Sequence, residues 1–297
     1  MRRAHIERRL TMEKITEQNL QAGLPFVEAK HYRKGRRAKV RVLVIHTAET
    51  PENNKMAESI QAYCARRADN VSCHEAIDND SVVAGVRPYD TAWTTGSIND
   101  FSYSYELAGR ARQTKAEWAD EFSTAMLKLV AKRVAKAAVL WKIPVVKLSP
   151  AELKAGRTGI CGHVDQTVAY EVKGGHTDPG PNFPWLQFLD MVKAEVAALT
   201  GAPVPPIVPT VPVAPVPPAP APAHDCAKNT VKKGSKGECV KTAQTRLIHH
   251  GFEPGPVDGV FGPKTQAAVR YFQETRKLKV DGIVGPAETW PALLKDK

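Results

Sequence analysis

The chain has 297 residues, 42% of them hydrophobic, which is the length prior of about two domains with real cores and excludes a disordered chain. A mean hydropathy of −0.33 goes with the lack of any apolar run long enough for a bilayer, since even Val40 to Ile45 is interrupted by Arg41, so no stable membrane insertion is expected. The formal net charge of +11 is concentrated at the two ends: residues 1–41 hold 12 Lys and Arg against 4 Asp and Glu, residues 226–297 hold 13 against 7, and the stretch between holds 17 against 20. A polyanionic partner is therefore expected for the ends, while the middle of the chain is close to neutral.

Residues 1–24 read as a basic arm. Met1 to Leu10 has the charge of a secretory n-region but no apolar h-region after it, so a cleaved signal peptide is not expected. Val40 to Ile45 predicts a buried strand and Met56 to Arg66 a short helix. His74–Asp78 and Val82–Val86, joined by Asn79-Asp80-Ser81, predict a hairpin. From Ala116, the residues Trp118, Phe122, Met126, Val130, Val134 and Trp141 recur at helical spacing, and Pro144 marks where that helix has ended. A further helix is expected from Trp185 to Leu199, between Pro184 and Gly201. Mixed strands and helices of this kind predict an α/β fold, a mixed β-sheet flanked by helices, over residues 25–202.

Ten of the twenty residues from Pro203 to Pro222 are proline, which fixes φ and removes backbone donors. Residues 203–225 therefore read as a semi-rigid polyproline II linker, on the order of 60 Å if fully extended, that holds two bodies apart. Beyond it, Val257-Asp258-Gly259-Val260-Phe261-Gly262-Pro263 returns as Val280-Asp281-Gly282-Ile283-Val284-Gly285-Pro286, each copy followed by a threonine, Thr265 or Thr289. Asp-Gly and Gly-Pro steps are turn chemistry that delivers the chain into a helix, so residues 226–297 predict a small all-helical domain of two related halves. Five cysteines without a CxxC pair exclude a zinc ribbon. Cys64 with Cys73, or Cys226 with Cys239, are near enough in sequence to pair; the first pair is the better candidate, and in a cytoplasmic chain all would stay thiols.

Three positions carry candidate chemistry. His46 ends the first strand, His163 lies in Cys161-Gly162-His163-Val164-Asp165, and Asp178 lies in Gly175-His176-Thr177-Asp178-Pro179-Gly180-Pro181. Two imidazoles and one carboxylate make a three-ligand zinc site with a position open for water, the arrangement of catalytic zinc. Histidine and aspartate in glycine-rich loops are also ordinary turn residues, so spacing alone leaves both readings open.

From about Pro25 to Leu199 the chain resembles the zinc-dependent N-acetylmuramoyl-L-alanine amidases of the type shared by phage lysozyme-amidases and peptidoglycan recognition proteins. The matching positions are His46-Thr47-Ala48, Ser72 to Asp78, Ala92-Trp93, Gly96, Tyr105-Glu106-Leu107, Gly162 to Asp165 and Thr177 to Pro181. Lys228 to Leu294 resembles peptidoglycan-binding modules through Gly234 to Val240 and the two Asp-Gly-x-x-Gly-Pro loops. The resemblance implies His46, His163 and Asp178 as zinc ligands and Glu106 as the acid that polarises the attacking water. His176 stands where relatives often carry a lysine for the oxyanion, and Cys73 where they often carry a tyrosine. Asp165 and His74 are expected to be structural or to support the ligands rather than to bind metal.

The resemblance further implies a peptidoglycan hydrolase that cleaves the amide between N-acetylmuramic acid and L-alanine, with Zn2+ as cofactor and bacterial peptidoglycan as substrate. A monomeric phage endolysin, held in the host cytoplasm before release to the cell wall, is the expected setting; the alternatives are a non-catalytic peptidoglycan-recognition protein and a bacterial cell-wall remodelling amidase. A non-catalytic recognition protein would lack a ligand, and no recognition helix or interleaving of aromatic and basic residues points to nucleic acid.

Overall fold

The computed structural model describes residues 14–66, 70–201, 226–250, 252 and 254–295. Residues 1–13 of the basic arm and 202–225, with the proline-rich linker, lie outside the described residues. The N-terminal half is built on five strands, β1 (Val42–Thr47), β2 (Glu75–Ile77), β3 (Val82–Ala84), β4 (Ser102–Leu107) and β5 (Gly159–Gly162), in the order β3-β2-β4-β1-β5. β1 runs parallel to β4 and β5, β2 runs parallel to β4, and only β3 is antiparallel. This is the mixed sheet flanked by helices that the alternating signals predict.

β1 is buried along its whole length because both faces of the sheet are covered. With a side-chain period of two, Leu43 and Ile45 join Tyr103, Tyr105 and Leu107 of β4 against the long helices α2 (Glu121–Trp141) and α5 (Trp185–Thr200). Val42 and Val44 face the other way, onto Ile98, Leu148, Leu153 and Cys161, under the short helices α3 (Pro150–Lys154) and α4 (His163–Ala169). Helix α1 (Met56–Arg66) covers the hairpin edge through Ala57 and Ile60. The alternation Ser102-Tyr103-Ser104-Tyr105-Glu106-Leu107 thus puts aromatic bulk on the α2 side and Glu106 on the side shared with His46.

The helix expected from Ala116 is divided. A 3-10 turn over Glu117–Ala119 precedes α2, because the Asp120 side chain accepts from Ser123 N at 2.8 Å and caps a new start. The main core also holds a buried ion pair: Arg133 donates to both carboxylate oxygens of Glu75, at 2.7 and 2.6 Å, and Tyr103 donates to Glu75 at 2.6 Å. Leu20 and Gln21, from the described part of the arm, are buried beside it; Leu20 O accepts from Arg133 and the Gln21 amide donates to Tyr103 Oη.

The C-terminal half consists of α6 (Glu238–His249), α7 (Pro263–Thr275) and α8 (Thr289–Leu294) around Leu247, Phe261, Phe272 and Trp290. Its two loops are wired alike. Gln244 donates to Asp258, Val260 O and Thr265 and accepts from Gly259 N; Gln273 donates to Asp281, Ile283 O and Thr289 and accepts from Gly282 N. The cysteine expectation is corrected here: Cys226 and Cys239 form a disulfide with Cα atoms 5.3 Å apart, whereas Cys64, Cys73 and Cys161 are buried thiols. The pairing follows from the 3-10 turn at Cys226–Lys228 packing against the first turn of α6.

Candidate metal centre

The parallel strands end together, and their C-terminal edge is where open sheets collect functional groups. His46 is the fifth residue of β1, Glu106 is its register partner on β4, and His163 follows β5 as the first residue of α4. Asp178 arrives from the loop between α4 and α5, which crosses close to β5. A Cβ on Gly162 would lie 2.6 Å from Pro179 Cδ, and one on Gly180, where φ is +91°, would lie 1.8 Å from Ala111 O. These two glycines let the loop descend far enough for Val164 N to donate to Asp178 O at 2.9 Å.

One ligand atom from each of His46, His163 and Asp178 lies within 4.8 Å of the others, and all three residues are buried. Asp178 Oδ2 is 3.1 Å from His46 Nδ1, and Oδ1 is 3.5 Å from His163 Nδ1. Yet Asp178 Oδ2 makes no hydrogen bond of acceptable geometry although it is buried. A buried carboxylate oxygen facing ring nitrogens without such a bond is costly on its own and is satisfied by a cation between them. The donor set, two imidazoles and a carboxylate with room for a fourth ligand, fits zinc.

The surroundings favour the required tautomer. His46 Nε2 lies 3.1 Å from Thr95 Oγ1, whose own hydroxyl is oriented toward Thr94 Oγ1 at 3.2 Å, so the oxygen can accept the Nε2 proton and leave the Nδ1 lone pair toward the site. Burial pushes His163 down to about 4, keeping it neutral as a ligand must be. Burial opposes charge on Asp178 too, but the imidazoles of His163, His176 and His46 around it outweigh that and hold the carboxyl well below the usual range. Burial pushes Glu106 up to about 7, with nearby Asp178 adding to the rise and His46 opposing it. Glu106 Oε1 stands 3.9 Å from His46 Nδ1, beside the three-residue cluster and not in it. It also lines a groove of about 390 Å³ together with Met56, Ile60, Tyr63 and Cys73.

His176 stacks on His163 at 4.0 Å between ring centroids, with Nδ1 3.5 Å from Asp178 Oδ1 and a side chain 67% exposed. The hydrogen bond to Asp178 raises its pKa. All five site residues read from the sequence therefore converge. Asp165 and His74 stay outside: Asp165 Oδ2 accepts from Gly162 N at 2.7 Å and from Lys147 at 2.5 Å, and His74 is buried between Arg36 and Ser104. Thr95 was not read from the sequence, because nothing in Thr94-Thr95-Gly96 announces a partner 49 residues away.

Two stretches of the chain match known protein families. Residues 36–181 match the family described as N-acetylmuramoyl-L-alanine amidase, and residues 236–293 match the one described as "Putative peptidoglycan binding domain". A spore cortex-lytic enzyme of Bacillus cereus is 45% identical over 69 residues, 23% of this chain and 26% of that protein. A zinc D-Ala-D-Ala carboxypeptidase of Streptomyces albus G is 44% identical over 63 residues, 20% of this chain and 24% of that protein. The chain thus spans about a quarter of the length of these curated relatives. The crystal structure of Staphylococcus aureus hydrolase AmiA with its ligand aligns over 61% of this chain and 87% of that one, with a TM-score of 0.48 and 15% identity. Residues 36–181 are therefore similar to the N-acetylmuramoyl-L-alanine amidase family, and residues 236–293 to the peptidoglycan-binding domain family.

Proposed function

We propose that this chain is a zinc-dependent peptidoglycan hydrolase that cleaves the amide between N-acetylmuramic acid and L-alanine of the stem peptide. The observation that carries the reading is the convergence of His46, His163 and Asp178 around a buried carboxylate oxygen that lacks a hydrogen bond. Zinc, when bound, would supply Lewis acidity toward the scissile carbonyl and make a water a better nucleophile at neutral pH. Glu106 takes the proton of the attacking water and passes it to the leaving amine of L-alanine; a carboxyl near 7 is well placed to do both. His176, raised by its contact with Asp178, donates a hydrogen bond to the oxyanion in place of a lysine. The groove lined by Glu106 receives the part of the substrate beside the scissile amide.

The C-terminal domain holds the enzyme to the wall, and its basic charge suits anionic wall polymers. A monomeric endolysin, active once it reaches the wall from the host cytoplasm, is the setting we favour. The Cys226–Cys239 disulfide suits a protein whose working compartment is oxidising. Among the described residues no helix is long and apolar enough to cross a membrane, in keeping with access to the wall through a separate permeabilising protein.

Purified walls treated with the protein should yield stem peptides with new L-alanine amino termini. Activity should vanish on chelation and return with about one zinc per chain. New reducing sugars in place of L-alanine termini, or full activity after thorough metal removal, would overturn the assignment.

A further inference from the structure

The proline-rich linker predicts two bodies held apart, but the described residues meet across it. Tyr271, on α7 of the C-terminal domain, donates its phenol hydroxyl to Asp165 Oδ1 of the catalytic half at 2.5 Å. Asp165 is fully buried, and its other oxygen accepts from Lys147 and from Gly162 N. The Lys147 ammonium lies 4.7 Å from the ring centroid of Trp185 and 5.0 Å from that of Tyr271, a cation held between one aromatic ring from each domain. Only 8% of the Lys147 side chain is exposed. Phe252 packs its ring edge to face with Tyr271, 5.2 Å between centroids.

A buried lysine and aspartate need every partner they can find, since each charge without one carries a large desolvation cost. The phenol of Tyr271 supplies the bond to Asp165 Oδ1, and the two rings cover the ammonium. The apolar faces around this polar centre do not close fully. A cleft of about 510 Å³ remains between them, lined by Val146, Leu186 and Leu189 on one side and Ile248, Phe252 and Ala268 on the other. An interface with one strong polar centre and an unfilled apolar margin is suited to separate and re-form.

Its placement links it to the metal centre. Asp165 is the third residue of α4, His163 is the first, and the Asp165 carboxylate holds the backbone N–H of Gly162 just before it. Tyr271 is thus two hydrogen bonds from the backbone that presents His163. We propose that the peptidoglycan-binding domain docks on the catalytic domain through Tyr271, and that Tyr271 is a positioning residue for the His163 end of the metal centre. The second part rests on the reading of His163 as a ligand; the first does not.

Small-angle X-ray scattering and zinc titration of the full chain, with Tyr271→Phe and Tyr271→Glu, test both parts. A docked chain of this length should have a radius of gyration near 20 Å, whereas two bodies separated by an extended linker should approach roughly 30 Å. Wild type is expected near the lower figure. Tyr271→Glu, which sets a second carboxylate against Asp165, is expected near the upper one. Tyr271→Phe keeps the ring, removes one hydrogen bond, and should weaken zinc binding about five-fold, at the mild end for a group that supports a ligand from a distance. A wild-type radius near 30 Å, or a folded Tyr271→Glu chain as compact as wild type, overturns docking. Should Tyr271→Glu fail to fold by circular dichroism, the wild-type radius decides alone. Unchanged zinc affinity in Tyr271→Phe, or no zinc binding by wild type, overturns the positioning role. None of these readouts uses wall hydrolysis, so an inactive but compact chain would sink the proposed function and leave docking in place.

Discussion

Glu106→Gln separates the cost of the site from its use. Burial raises the Glu106 carboxyl from its ordinary 4.5 to about 7, and its side chain is only 17% exposed. At about 1.36 kcal/mol per pH unit, the ionised form is disfavoured in the metal-free fold by roughly 3 kcal/mol relative to the unfolded chain. The sign follows from the order of the two values. Below 4.5 both states are protonated and the cost is absent; it grows between 4.5 and 7 as the unfolded chain ionises first, and stays constant above 7. Glutamine keeps the shape and cannot ionise, so the metal-free variant should be up to about 3 kcal/mol more stable than wild type at pH 7.5 and no more stable at pH 4.5. Urea unfolding of metal-free protein at the two pH values measures this. The same substitution should lower the rate of amide cleavage by about 10²- to 10⁴-fold without loss of zinc, because Glu106 stands beside the ligand cluster. A variant no more stable than wild type at pH 7.5, or one stabilised equally at both pH values, would refute the argument from burial. Loss of zinc together with activity would make Glu106 part of the metal's support.

Three further substitutions or treatments read other parts of the structure. Gly180→Ala puts a Cβ against Ala111 O and a side chain at φ +91°, so the Asp178 loop must lift and zinc affinity measured by competition with a chelating dye should fall at least ten-fold. Arg133→Leu leaves Glu75 buried without its cation, and should cost about 3–5 kcal/mol in denaturant unfolding of the catalytic domain. Reduction of Cys226–Cys239, which closes a loop with a sequence separation of 13, should destabilise the C-terminal domain by about 3 kcal/mol and leave the midpoint of the catalytic domain where it was.

The candidate metal centre was legible because its residues are locally marked: each of the three sits in a short motif whose glycines and strand end fix its direction, and the resemblance joined motifs 117 and 15 residues apart, from His46 to His163 and on to Asp178. The C-terminal domain was legible for the same reason, as a repeat of turn chemistry. What stayed hidden depends on pairs that local pattern cannot couple. The apolar spacing that predicts the helix says nothing of Arg133, and only the fold brings Glu75 to it from 58 residues away. The cysteine pairing turned on which helix end packs on which turn. Strand β5 is four residues bounded by glycines, and β4 alternates serine with tyrosine before Glu106, so their register against β1 emerged only with the sheet.

The repeated glutamine clasp of the C-terminal domain has a consequence for how its surface can diverge. Gln244 and Gln273 secure their loops from inside, so the positions two residues before them take no part in those hydrogen bonds. In α6 that position is Thr242, bonded within its own helix to Glu238 O; in α7 it is Tyr271, whose hydroxyl reaches Asp165. One pattern, written twice, thereby supports two different outward faces. Selection can reshape either face while the shared wiring keeps both copies folded.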